Sequence, residues 1–175
     1  MSIYYEKHFS MLCVDPGLRG CGVAFFRAGP LIRAGYVTSS AIEGRGYAAH
    51  KAMARALVDA YGYVGLSRLV IEHPRIYPGA AQQKGDLNDL LDLVGVGAAV
   101  AANYPVTEVE TLFPSDWKGN VPKEVMTARI SRAIANEERA GIEKCYASLT
   151  HNVLDAIGIG LFKLGRINKK SILND

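Results

Sequence analysis

Four acidic or imidazole side chains lie in segments that are otherwise apolar, and this feature most limits the folds open to the chain. They are Asp15, Glu72, His151 and Asp155. Asp15 and Glu72 each end a short apolar run, and Asp155 interrupts a longer one. A carboxylate buried without compensation costs several kcal/mol, so it protonates, pairs or binds a cation. We therefore expect a fold that gathers these side chains around a shared divalent metal.

Turn residues and hydrophobic periodicity divide the chain into five strands and four helices. The predicted strands cover residues 10–16, 23–27, 31–38, 67–72 and 106–112, and the predicted helices about 45–61, 86–102, 122–140 and 149–166. Three closely spaced strands predict an antiparallel meander. Strand–helix–strand connections are right-handed crossovers, so strands one, four and five should run parallel. We expect one α/β domain over residues 1–175, with a mixed five-stranded sheet flanked by helices.

In this topology Asp15 and Glu72 end neighbouring parallel strands at one edge of the sheet. Ligand sites in such sheets lie outside the carboxyl ends of the strands. His151 and Asp155 are four residues apart and share a helix face, which can cover this edge. The three carboxylates carry a charge of −3, and a bound phosphodiester makes −4, which two Mg²⁺ ions would neutralise. Carboxylates with one imidazole suit Mg²⁺ or Mn²⁺, and paired ions catalyse in-line phosphoryl displacement.

Composition indicates a protein of the cytoplasm with one core. Apolar residues make up 49% of the 175 residues, which is enough for a full core. The three cysteines form no CxxC motif and indicate free thiols. No secretory signal is visible, and the longest apolar stretch, residues 93–102, is too short to span a membrane. The net charge of +3, with a basic helix end or tail at about residues 163–175, favours a nucleic-acid partner. The charge alone does not identify that partner.

Five segments along nearly the whole chain carry a family resemblance. They are Val14-Asp15-Pro16-Gly17 with Gly20 and Gly22, Val70-Ile71-Glu72-His73-Pro74, the helix Leu91 to Ala102 with Gly95 and Gly97, Pro114-Ser115-Asp116-Trp117-Lys118-Gly119 followed by Pro122-Lys123, and Asp155-Ala156-Ile157-Gly158-Ile159. Together they resemble the RuvC family of Holliday-junction resolvases in the ribonuclease-H-like superfamily, and its phage-type members in particular. The resemblance implies a ribonuclease-H-like fold.

The resemblance also implies an activity and its residues. It implies a Mg²⁺-dependent endonuclease that nicks Holliday junctions or other branched DNA and leaves a 5′-phosphate and a 3′-hydroxyl. The implied metal ligands are Asp15, Glu72 and Asp155, with Lys118 and Lys123 near the scissile phosphate. The helix over residues 91–102 would form the seam of a homodimer, which matches the two-fold symmetry of a four-way junction.

One position departs from the family pattern. Bacterial members usually carry two acids three residues apart on the last helix, and here Asn152 precedes Asp155 by three. His151 lies one residue further back. We favour His151 as the ligand that replaces the missing acid, with Asn152 as the alternative.

Further DNA contacts are predicted around the acids. Trp117 either packs under its loop or stacks on an exposed base. Arg75, Tyr77 and Lys84 lie in the loop over residues 73–84 beside the expected site, where they either contact DNA or remain solvated.

Three other functions compete with this interpretation. A nuclease of the same fold could act on RNA or on RNA–DNA hybrids. An actin-like ATPase begins with a similar Asp-x-Gly turn, but needs two such domains, and 175 residues allow one. The third is a catalytically inactive junction-binding protein. The sequence leaves open the cleavage-site preference, the host cytoplasm (bacterial or phage-infected), a helicase partner, and a role in recombination or in debranching phage DNA.

Overall fold

A mixed five-stranded sheet with helices on both faces forms the centre of the computed structural model, which describes residues 9–39, 45–62, 65–75, 86–144 and 150–168. The strands are β1 (Ser10–Asp15), β2 (Gly20–Arg27), β3 (Leu31–Thr38), β4 (Arg68–Glu72) and β5 (Glu108–Leu112). The helices are α1 (Gly46–Tyr61), α2 (Leu87–Asn103), α3 (Pro114–Trp117), α4 (Lys123–Ala133) and α5 (Thr150–Lys163), and a 3₁₀ turn covers Glu138–Gly141.

The strand order is β3-β2-β1-β4-β5, so β1 is central. β1 to β3 pair as an antiparallel meander, while β1, β4 and β5 run parallel. The predicted α/β sheet is therefore confirmed. In the parallel register Val14 lies beside Ile71, and the next residues along the two strands are Asp15 and Glu72.

Alternating side chains of the sheet build two core layers. Leu12 and Val14 of β1 pack with residues of α1 and α2, whereas Met11 and Cys13 pack with residues of α4 and α5. This alternation is the two-residue period of a strand. Residues with the parity of Met11 and Cys13 therefore face α5.

The predicted helix over residues 122–140 is wrong in its second half, because α4 ends at Ala133. Ile134 leaves the helical conformation, with ψ at 120°. The buried Glu138 carboxylate then accepts hydrogen bonds from the backbone N–H groups of Ala135 and Leu31. The contact with Leu31 of the distant strand β3 and the local contact with Ala135 replace the helix that local periodicity predicts.

Two further differences concern the segments beside the site. β2 begins at Gly20, three residues before the predicted start of this strand at residue 23. The short helix α3 was not predicted. Its first turn contains Pro114, and the Asp116 carboxylate accepts a hydrogen bond from the Phe113 backbone N–H at 3.1 Å. Both features are typical of a helix start.

Within the described ranges, no helix is both long and apolar enough to cross a bilayer. Tyr77, Lys84 and residues 169–175 of the predicted basic tail lie outside the described residues. The assignment of residues 1–175 to one domain stays a prediction.

Candidate functional site

Asp15 and Glu72 lie at the carboxyl ends of β1 and β4, on the side of the sheet that faces α5. Asp15 is two residues beyond Cys13, and Glu72 is two beyond Val70, and both of those apolar residues belong to the core layer under α5. The pleat of each strand therefore directs both carboxylates to the same side. The Glu72 side chain is only 11% exposed.

Helix α5 reaches this edge because two glycines let it approach closely. Gly22 pairs with Asp15 in the antiparallel register, and a Cβ on Gly22 would overlap the carbonyl oxygen of Asn152. On the helix itself, a Cβ on Gly158 would overlap the Trp117 ring. These contacts fix the start of α5 over the ends of the strands, and they bring Asp155 to Asp15 and Glu72.

The end of helix α3 and the residue that follows it supply the donors to the acids. The Lys118 ammonium donates to Asp155 Oδ2 at 2.8 Å and lies 3.4 Å from Glu72 Oε2. The Trp117 indole N–H donates to the same Glu72 oxygen at 2.8 Å. We define the acid cluster as Asp15, Glu72 and Asp155, with Lys118 as the cation that contacts it.

The acid cluster holds more negative charge than its environment offsets. Burial raises the pKa of the Asp15 carboxyl well above its usual range, and the Glu72 and Asp155 carboxylates raise it further, whereas Lys118 lowers it. Burial also raises the pKa of Glu72, against the opposing effects of Lys118 and the Trp117 hydrogen bond. The pKa of Lys118 is raised, because the carboxylates outweigh the effect of burial. Three carboxylates and one ammonium sum to −2 when all are ionised.

This donor set fits a hard divalent cation, since buried carboxylate oxygens with excess negative charge are what Mg²⁺ and Mn²⁺ bind. In the structure the ammonium of Lys118 partly neutralises them. Within the described part of the chain, no three His, Cys, Asp or Glu side chains are arranged to hold a metal ion together. The assignment of Asp15, Glu72, His151 and Asp155 as metal ligands therefore stays a prediction.

Neither candidate for the fourth ligand contacts the acid cluster through a hydrogen bond or ion pair in the described ranges. His151 lies one helical turn before Asp155 and is partly buried. The side chain of Asn152 is hydrogen-bonded to the Tyr36 hydroxyl instead. This partner makes Asn152 the weaker candidate, and His151 stays a prediction.

The predicted DNA-contacting residues have different environments. Lys123 begins α4 and is exposed, and exposed Arg75 donates to the Ser115 hydroxyl at 2.9 Å beside α3. The Trp117 side chain is fully buried. Of the two predicted roles of Trp117, stacking on an exposed base is therefore wrong, because its ring has no exposed face. The ring packs under α5 instead. Tyr77 lies outside the described residues.

Two residues near the site, Tyr36 and Arg19, were not predicted from the sequence. Tyr36 pairs with Gly22 in the sheet, as does Asp15, so the three lie in one row across β1, β2 and β3. Asp15 and the exposed Arg19 both act electrostatically on the Tyr36 hydroxyl, whose pKa is raised mainly by burial. Correct strand registers would have identified this row, although no sequence motif marks it.

Solved structures with this arrangement of strands and helices were found, although no protein-family model and no curated protein sequence matches the chain. The RuvC structure from Thermus thermophilus superposes with a TM-score of 0.57 over 91% of this chain and 99% of that one, at 15% sequence identity. The chain has the RuvC fold.

Two further structures were found at lower TM-scores. RuvC from T. thermophilus in complex with a Holliday junction substrate has a TM-score of 0.47 and 13% identity, and covers 92% of this chain and 99% of that one. The yeast mitochondrial Holliday junction resolvase Ydc2 also has a TM-score of 0.47, at 11% identity. The match covers 88% of this chain and 79% of that one. At these identities the likeness to RuvC establishes the fold, and function is argued from the site.

Proposed function

We propose that this chain is a Mg²⁺-dependent endonuclease that nicks four-way DNA junctions or other branched DNA. The observation that carries the proposal is the buried acid cluster with its contacting lysine, at the sheet edge where folds of this type bind their ligands. The likeness of the fold to the RuvC structure from Thermus thermophilus, at a TM-score of 0.57, supports it. Phosphodiester hydrolysis is the chemistry that such a donor set serves best.

The acid cluster would hold the divalent ions. Asp15, Glu72 and Asp155 are the proposed ligands, and His151 is the proposed fourth. When bound, a pair of Mg²⁺ ions, or Mn²⁺ in their place, supplies activation of a water nucleophile and stabilisation of the negative charge on the leaving oxygen. Burial of the carboxylates keeps this charge in a medium of low polarity, which strengthens their attraction for the ions.

The residues around the acid cluster would bind the DNA and orient the proposed metal ligands. Lys118 donates to carboxylates here, and a scissile phosphate offers its ammonium similar oxygen acceptors. Trp117 holds Glu72 in one orientation through its indole N–H. Lys123 and Arg75 are exposed and would contact the DNA backbone. Hydrolysis breaks the bond between phosphorus and the 3′-oxygen, and leaves a 3′-hydroxyl and a 5′-phosphate.

We also propose a homodimer, because a four-way junction is two-fold symmetric and needs two symmetric nicks. Helix α2 supports this proposal. Its Leu87 and Leu91 side chains are 53% and 64% exposed, and they lie one turn apart on one face. The chain would act in the cytoplasm of a bacterium or a phage-infected host, which suits the free thiols of buried Cys13 and Cys21.

Cleavage of matched substrates tests the proposal. A synthetic four-way junction, a linear duplex of the same sequence and an RNA–DNA hybrid are incubated with the protein at equal concentration in Mg²⁺ and in EDTA. We expect nicking of the junction alone, abolished by EDTA. Preferred cleavage of the hybrid would instead favour a ribonuclease, and tight junction binding without cleavage would favour a binding protein.

A further inference from the structure

The Lys118 ammonium lies against two carboxylates of the acid cluster, Glu72 and Asp155. It donates to Asp155 Oδ2 at 2.8 Å, lies 3.4 Å from Glu72 Oε2, and lies 4.7 Å from the centre of the Trp117 ring. The Lys118 side chain is 23% exposed. Two carboxylates and an aromatic face therefore surround one charged group, which also acts electrostatically on Asp15.

The backbone of α3 fixes the base of this lysine. The Lys118 N–H donates to the Pro114 carbonyl at 2.9 Å and closes the turn. The preceding Trp117 is fully buried, and the Asp116 carboxylate caps the start of the turn. Because these contacts hold the backbone before Lys118, rotation of its side chain is the movement that would take the ammonium away from the acid cluster.

An ammonium and a divalent ion compete for the same oxygens. Glu72 Oε2 already faces the Trp117 N–H and the Lys118 ammonium, and Asp155 Oδ2 accepts from Lys118. Like charges at this separation repel, and burial leaves little water to screen them.

We propose that Lys118 is an internal counterion of the acid cluster, and that it must leave the cluster before divalent metal binds there. This inference rests on the proposed function, because it assumes that the acid cluster binds divalent metal. It adds that Lys118 partly neutralises the acid cluster before metal binds. A DNA phosphate is the natural acceptor for the released ammonium. DNA binding would therefore favour metal binding, and metal binding would favour DNA binding by the same factor.

The affinity for Mn²⁺ without DNA tests this inference without relying on activity. Mn²⁺ is titrated into the wild-type protein, Lys118→Met and Lys118→Gln, and free Mn²⁺ is measured by electron paramagnetic resonance. The matched control is Lys163→Met. Lys163 also pairs with a carboxylate, Glu110 at 2.5 Å, and is 21% exposed, but it lies two helical turns beyond Asp155.

We expect both Lys118 variants to bind Mn²⁺ roughly tenfold more tightly than the wild type, an effect of the size that one partly buried ion pair produces, and Lys163→Met to match the wild type. Mn²⁺ should also raise the melting temperature of both Lys118 variants more than that of the wild type. Equal or weaker Mn²⁺ binding by folded Lys118 variants would overturn the counterion role and leave the metal centre intact. If neither the wild type nor any variant binds Mn²⁺, the proposed metal-dependent function fails as well.

Discussion

Trp117 belongs to both the hydrophobic core and the acid cluster. Its ring is fully buried against Gly158 of α5, where a larger residue would overlap it. Its indole N–H donates to Glu72 Oε2 at 2.8 Å. A hydrogen bond to a charged group contributes about 1.5–3 kcal/mol, so this contact restricts the orientation of Glu72. We therefore regard Trp117 as a positioning residue.

Replacing Trp117→Phe should slow nicking and leave DNA binding intact. Phenylalanine keeps most of the packing but has no N–H for Glu72, so we expect a single-turnover rate roughly tenfold lower with an unchanged junction Kd. Ile130→Val is the control, because Ile130 packs on the same glycine and its truncation costs about 1 kcal/mol without touching Glu72. Equal slowing by both variants would mean that packing, and not the hydrogen bond, is responsible.

At the level of residues, the acids were easier to predict than their partners. Asp15, Glu72 and Asp155 are conspicuous because each lies in an apolar segment, and such carboxylates need a shared compensation. The Trp117 contact could not be predicted in the same way. Its direction depends on α3, which has only four residues, and on the close approach of α5 at Gly158.

At the level of elements, Glu138 links three segments that are distant in sequence. Its carboxylate accepts two hydrogen bonds from Arg166, at 2.6 and 2.7 Å, and one each from the backbone N–H groups of Leu31 and Ala135. Glu138 is only 7% exposed. This network connects the end of α5 to β3 and to the segment after α4.

The Glu138 network predicts a specific loss of stability in acid. The Arg166 hydrogen bonds, offset partly by burial, lower the pKa of Glu138 from 4.5 to about 2. Because the pKa is lower in the folded state, the contribution is complete above about pH 4.5 and is lost as the pH falls towards 2. We expect the Glu138 network to contribute on the order of 3 kcal/mol to the free energy of unfolding at pH 6. Urea unfolding between pH 6 and pH 2.5 measures the loss of this contribution.

A matched variant isolates this contribution. Glu138→Gln keeps the shape but cannot titrate, so its stability should be lower at pH 6 and should change less with pH than that of the wild type. Parallel pH profiles for the two proteins would show that other carboxylates cause the acid sensitivity.

Most of the elements could be predicted from local pattern, and the exceptions have a non-local cause. The five strands follow from apolar runs between turn residues. The end of α4 at Ala133 could not be predicted in this way, because the helical period of the sequence continues beyond it. The residues whose contacts with Glu138 take the place of the helix, Leu31 and Arg166, are 107 and 28 positions from Glu138 in sequence.

At the level of the whole molecule, helix α2 presents an apolar face next to the site. Leu90, Leu91 and Val94 line a cavity of about 480 Å³ together with His73 and Phe113. His73 directly follows Glu72, so this cavity adjoins the sheet edge that carries the acid cluster. A second copy bound here, as proposed for the homodimer, would place two acid clusters on one symmetric assembly.

The proposed homodimer predicts that Leu91→Asp is a monomer. A charge at the centre of an apolar interface is costly to bury, so we expect light scattering to give the mass of two chains for the wild type and of one for the variant. Val125→Asp is the control, since Val125 is also an exposed helical residue, at 42%, but lies on α4. A wild-type mass of one chain would contradict the dimer.

The most direct test of the central claim is a single-turnover assay of a four-way junction with the wild type, Asp15→Asn and Asp155→Asn in Mg²⁺, with junction binding measured in parallel. Each variant keeps the size of the side chain and removes one charge from the acid cluster. We predict that nicking falls by about 10³-fold, equivalent to ~4 kcal/mol of transition-state stabilisation, while junction affinity is retained. Unchanged nicking by either variant would contradict the proposal that the acid cluster catalyses the cleavage.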